Sequence, residues 1–251
     1  MLDVPKDIAY ANAALADALA ELYAAFAVYP APRRLHVSPL RNAANILRDL
    51  KSAPLKSLPA VAIGPFAMYA MTTVGEVEDY KHFLPRIIHL GIIGGQGEPA
   101  LEATAIAAKL DDGDWLGWRK QERSAIVSAY EAAWARLRFF HPEDRDAEDW
   151  LTGLAMLGID VVTKLNVWSD DHAPASMAQF AQFVARMHDL NNPEEFPMEI
   201  APDIRQAMLD FICGAKAAAA LRRAVASADP SDVWLFKDAE KAIALLRRSM
   251  K

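Results

Sequence analysis

Apolar residues recur along almost the whole chain at intervals of three and four, and nowhere do they alternate with period two over a convincing length. A helix gathers such residues on one face at about 100° per residue, whereas a half-buried strand needs strict alternation. The pattern predicts an all-α fold without significant sheet. Its form would be an irregular multi-helix bundle or stacked helix pairs, about nine to eleven helices in all. A short extended piece at 33–37 is the one exception considered. No segment repeats at a fixed period, so a regular solenoid is not indicated.

The helix punctuation can be read along the chain. Ile8, Leu15, Leu19, Leu22 and Phe26 mark an amphipathic helix over 5–29, stopped by Pro30 and Pro32. Ser38-Pro39 has the form of a cap followed by proline at the first helical position, which predicts a helix over 38–50. Further helices are expected at 65–71, 73–90, 98–110 and 118–140. A long one follows over 142–165, and others at 174–190, 202–213, 215–226 and 230–248. Asn191-Asn192-Pro193 and Pro197 make 191–197 the best linker, a weak subdivision within one domain over 1–251.

Composition narrows the function classes. With 251 residues, 53% of them hydrophobic, the chain can bury a substantial core. A net charge of −6 argues against a general nucleic-acid binder, which relies on a basic balance. Asp17, Glu21 and His89 interrupt the apolar runs before any reaches the roughly 18 residues a membrane span needs. The first residues lack a charged-then-apolar leader pattern. Cys213 is the single cysteine, so no intramolecular disulfide can form, and it reads as a small buried apolar residue. A cytoplasmic protein with neither membrane nor nucleic acid as partner is expected.

The densest stretch is 72–90. Thr73 and Glu76 have the spacing of a capping box, and Glu76, Glu78 and Asp79 load the first turn with carboxylates. Val77, Tyr80, Leu84, Ile87 and Ile88 form the expected core face, and Pro85 is expected to kink the helix. Glu78, His82 and His89 line up on the other side, beside a second row of Asp79 and Arg86 expected to pair as ions. One glutamate and two histidines could perform acid–base work or bind a metal. Glu78 and His89, at i and i+11, lie three turns apart, however, and a solvated or partner-facing side is the simpler reading.

The run 72–87, Thr-Thr-Val-Gly-Glu-Val-Glu-Asp-Tyr-Lys-His-Phe-Leu-Pro-Arg-Ile, resembles the signature of a family of uncharacterised bacterial proteins. The segment from Tyr23 to Pro30 and the helix holding Trp118 and Trp134 fit the same pattern, so the resemblance spans about the first half of the chain. It implies an all-α protein and no established activity. Some members of that family carry two cysteines just after the first helix, where this chain has 33–38 without any. A metal or redox role built on that pair does not transfer.

Elsewhere the candidates are sparse. Asp170, Asp171 and His172 form a polar loop that could hold an acid–base cluster or act as turn and cap residues. The glycines of 91–97 complete no nucleotide motif and read as a helix-ending loop; 111–114 lacks calcium-loop spacing. No zinc, P-loop or nucleophile-elbow motif is present, so neither cofactor nor metal is expected. Arg33, Arg34, Arg41, Arg48, Lys51 and Lys56 face only Asp49 in their region. The leading expectation is a non-catalytic interaction protein, with His82, Arg86 and His89 contacting an acidic protein partner helped by Arg34 and Arg41. The alternative is an enzyme or a metal- or small-molecule binder using Glu78, Asp79, His82 and His89, with Asp171 and His172 as further catalytic candidates. A third is a toxin-neutralising protein whose acidic run 143–149 masks a basic toxin.

Overall fold

The computed structural model describes residues 6–39, 41–94, 97–187 and 200–249. Among them are twelve α-helices and three short 3-10 helices, and no strand. The extended piece at 33–37 is realised only as an isolated bridge from Val37 to Val74. The expected count of nine to eleven falls short by one because 142–165 is two helices: Gly158 takes a left-handed conformation, φ +78°, and breaks the run. Contacts divide the chain into two compact units, one up to Ala133 and one from Trp134. The linker read at 191–197 lies outside the described residues. Among the described residues no helix is long and apolar enough to cross a membrane.

The first unit holds α1 (Lys6–Phe26), α2 (Ala43–Leu50), α3 (Ala60–Tyr69), α4 (Val77–Ile93), α5 (Ala103–Asp112) and most of α6 (Lys120–Leu137). Helix α4 packs against α1, α3 and α5. Ten of its seventeen residues are buried, so it is enclosed around most of its circumference rather than on one face. Leu22 and Phe26 of α1, Ile63 and Phe66 of α3 and Leu84 and Ile87 of α4 are fully or almost fully buried. Each such side chain contributes about 1.5–3 kcal/mol by leaving water. Pro85 is accommodated within α4, and Pro65 within α3, which begins after Pro59 rather than at 65.

Two helix starts differ from the sequence reading, the first of them for a nonlocal reason. The Ser38 N–H donates to the Thr73 carbonyl at 2.9 Å and the Gly75 N–H to the His36 carbonyl at 2.6 Å. That pairing draws Ser38 away from α2, whose cap is Asn42, its side chain accepting from the Asn45 N–H. The Thr73 N–H is likewise taken by the Tyr69 carbonyl. The box at α4 is therefore Glu76 with Asp79, not Thr73 with Glu76.

The second unit holds the last turn of α6, then α7 (Ala147–Met156), α8 (Val162–Ser169), α9 (Pro174–Arg186), α10 (Pro202–Cys213), α11 (Ala215–Val225) and α12 (Val233–Ser249). Its core is aromatic: Trp168 stacks on Phe183 at 5.5 Å and meets Trp134 edge-on at 5.9 Å. The Trp168 indole N–H donates to the Ser176 carbonyl at 3.0 Å, which satisfies its one donor inside that core. Helix α7 starts at Ala147 rather than Pro142, with Asp146 accepting from the Asp149 N–H as its cap.

Candidate functional site

The chain leaving α1 cannot continue as helix, because Pro30 and Pro32 lack the N–H groups a further turn would use. It runs past the end of α2, where Lys51 is the C-cap, and the segment after it turns through Pro54 into a 3-10 turn, Leu55–Ser57. Between these pieces and α4 lies a cleft of about 450 Å³. Pro32, Leu47, Leu50, Leu55 and Phe83 give it apolar walls, and Lys51, Ser52 and His82 are its polar side chains. Its size falls within the range of small-molecule sites, roughly 300–1,000 Å³.

His82 is held in one orientation. Its Nδ1 lies 2.8 Å from the Tyr29 carbonyl oxygen. A carbonyl can only accept, so Nδ1 carries the proton and Nε2 is the unprotonated nitrogen of the neutral ring. The ring also meets Phe83 edge-on at 4.7 Å. No hydrogen bond joins Ser52 to His82 among the described residues, so the two do not form a nucleophile–base pair.

Tyr29 is in turn fixed from below. Its hydroxyl donates to Glu122 Oε1 at 2.5 Å, and Lys81 Nζ lies 3.2 Å from the same hydroxyl and 3.3 Å from Glu122 Oε2. Arg119 donates to Oε1 through Nε at 2.7 Å and to Oε2 through its backbone N–H at 3.2 Å. Glu122 is 0% exposed and Lys81 only 8%. Burial pushes the Glu122 carboxyl up, but hydrogen bonds from Tyr29 and Arg119 and the Lys81 charge outweigh it, and the net shift is downward. The Lys81 ammonium also sits over the Trp118 ring at 4.3 Å.

The residues expected to act along α4 are thus separated. Glu78 is exposed. Asp79 accepts from the Glu76 N–H at 3.0 Å, and burial raises its carboxyl despite that bond. Arg86 forms no ion pair with Asp79; it is buried and its Nε donates to the Leu58 carbonyl at 2.8 Å. His89 is half-buried beside Tyr23, its Nδ1 3.3 Å from the Tyr23 hydroxyl, and burial and then Arg86 lower its basicity. Among the described residues no three His, Cys, Asp or Glu side chains come together as a metal site.

The remaining candidates are elsewhere. Arg34 is exposed, and Arg41 lies over the Tyr69 ring at 3.4 Å. Asp171 accepts from Arg138 at 2.5 Å, Ser176 at 2.9 Å, and the His172 and Ala173 N–H groups at 2.7 and 3.2 Å. Its carboxylate is therefore fully engaged in holding the turn before α9, while His172 is exposed. Asp170 pairs with Lys216 at 2.8 Å. In the acidic run Glu143 is exposed, whereas Glu148 is buried and bonded to Arg186 at 3.1 Å.

Lys81, Glu122 and Arg119 were missed in the sequence, although a signal existed. Positions 77, 81, 84 and 88 share one helical face, so Lys81 lies in the middle of the stripe of Val77, Leu84 and Ile88. A lysine there requires a buried acidic partner. Comparison with protein-family models, with curated proteins and with solved structures finds no match.

Proposed function

We propose that this protein is a non-catalytic binding protein that takes a small molecule into the cleft beside His82. The observation that carries the reading is an apolar, preformed cleft of about 450 Å³ with one oriented imidazole in its wall. Small-molecule sites have this make-up, with mostly apolar walls and a few placed polar groups. The dispersal of Glu78, Asp79, His82 and His89, and the absence of a Ser52–His82 hydrogen bond, favour binding over catalysis. A cytoplasmic setting goes with this reading, since the lone Cys213 suits a reducing compartment.

Native mass spectrometry of gently recovered protein tests it. The expected result is an added mass of small-molecule size, lost in Ala53→Trp, which fills the cleft from its rim, with the fold intact by circular dichroism. A bare wild-type chain, or a mass that persists in Ala53→Trp, would remove the cleft as the site.

The second reading is an acidic protein partner. Arg33 and Arg34 favour it, being exposed with no hydrogen bond or ion pair among the described residues. It predicts a second polypeptide in the same spectra that is lost on Arg33→Glu/Arg34→Glu.

A further inference from the structure

Building on that reading, we propose that the ligand of the cleft is an organic anion with an apolar body, and that its binding is coupled to protonation of His82. Among the described residues, none that lines the cleft carries a carboxylate, whereas Lys51 is a cation and His82 can become one. The negative end of the α2 dipole, about half an elementary charge, lies at the same end as Lys51 and is outweighed by a full ammonium charge. Asp49, the acid nearest in sequence, is paired with Arg48 at 3.1 Å. The apolar walls supply the contact for a hydrocarbon or aromatic body, and the two basic side chains supply the contact for one charged head.

The proton coupling follows from the Tyr29 carbonyl. Nδ1–H is committed to that acceptor at 2.8 Å, so in the neutral ring Nε2 has only a lone pair to offer. An anion also has only lone pairs. Contact at Nε2 therefore requires a second proton on the ring, giving imidazolium with one N–H toward Tyr29 and one toward the ligand. Reversing the tautomer instead would leave the Tyr29 carbonyl without its donor.

Several charged groups lie around the ring. On α4 itself are Glu78 and Asp79 one turn earlier, with Lys81 beside it and Arg86 one turn later. From the end of α2 comes Lys51, and behind Tyr29 lie Glu122 and Arg119. Histidine is the side-chain type whose charge changes between about pH 5 and pH 8. Uptake of one proton per anion makes affinity fall with rising pH, by up to about tenfold per pH unit where the free ring is neutral.

The experiment is calorimetric titration of the full chain with decanoate, decan-1-ol and decylammonium at pH 6 and pH 8. The expected order is decanoate tightest and decylammonium weakest. Decanoate should weaken about tenfold or more from pH 6 to pH 8, with decan-1-ol unchanged. His82→Gln, which keeps a donor but cannot titrate, should abolish the pH dependence. Lys51→Met, at an exposed position, should weaken decanoate by about tenfold and leave decan-1-ol unaffected. Equal binding of decanoate and decan-1-ol, a preference for the cation, or pH-independent decanoate binding would overturn the inference while leaving the cleft as a binding site. Binding of none of the three also overturns it, and the bound-mass test in Ala53→Trp then decides the cleft separately.

Discussion

Replacing Lys81 with methionine and Glu122 with leucine, singly and together, tests whether the buried cluster beneath Tyr29 is held as its geometry implies. Methionine removes two contacts of the ammonium, to Glu122 at 3.3 Å and Tyr29 at 3.2 Å, and its place over Trp118. Glu122 nevertheless keeps the Tyr29 hydroxyl and the Arg119 side chain and backbone N–H as donors. The expected cost of Lys81→Met is therefore that of a lost charged hydrogen bond, about 1.5–3 kcal/mol. Glu122→Leu is worse. It leaves Lys81, 8% exposed, without the one carboxylate paired with it among the described residues, and such a stranded charge costs about 3–5 kcal/mol. The double variant removes both charges and should recover part of the loss, with a coupling of about 2 kcal/mol. Urea unfolding followed by tryptophan fluorescence is the assay, since Trp118 lies against the cluster. Additive single costs, or Lys81→Met as damaging as Glu122→Leu, would refute the reasoning. The pH dependence gives a second check. The folded Glu122 carboxyl lies below its ordinary value, so its contribution is fully present above about pH 4.3 and is lost as pH falls through the folded value. In Glu122→Gln that acid-side loss should shrink.

Glu148 carries the opposite sign. Burial first, then the Asp146 charge, hold its carboxyl well above the ordinary value despite Arg186. The folded state then binds more protons than the unfolded one, so stability falls as pH rises through the folded value. Melting curves between pH 5 and pH 8 should show that fall in the wild type and a flatter profile in Glu148→Gln. Gly158→Ala should cost about 1 kcal/mol in urea unfolding, because φ is +78° there while a Cβ would meet nothing within 4 Å. A neutral outcome at Gly158 would mean that the turn between α7 and α8 relaxes to negative φ.

The fold class was legible because helices are built from neighbours in sequence, and the proline signals at α9 and α10 survived folding. Pro174 and Pro202 stand at the first helical positions of those helices. At α2 the sequence reading failed because a distant segment took the backbone N–H of Ser38. Ser38-Pro39 reads as a helix start on its own, but Ser38 is occupied by the Thr73 carbonyl, and the start passes to Asn42. Thr73 is lost as a cap for a local reason, its N–H being taken by the Tyr69 carbonyl four residues earlier. Local propensity cannot register a partner 35 positions away, which is the separation of Ser38 and Thr73 (73 − 38).

The site follows the same logic one level up. His82 stands out in the sequence because it lines up with Glu78 and His89 along one side of the helix, but its place in the cleft wall depends on Pro32, Leu47 and Leu55, which no helical face groups with it. Arg86 and His89 were grouped with His82 because a one-sided helix would expose all three. Helix α4 is enclosed on most sides, so each polar side chain is left to find its own partner: Leu58 for Arg86, Tyr23 for His89, Tyr29 for His82. Of these, His82 lies in the wall of the cleft. Tyr29 is then the residue through which the two halves of the site are joined, its hydroxyl bonded to Glu122 and its carbonyl to His82. Glu122 and Lys81 hold the Tyr29 hydroxyl, and the Tyr29 carbonyl gives the His82 imidazole the hydrogen bond that sets its orientation.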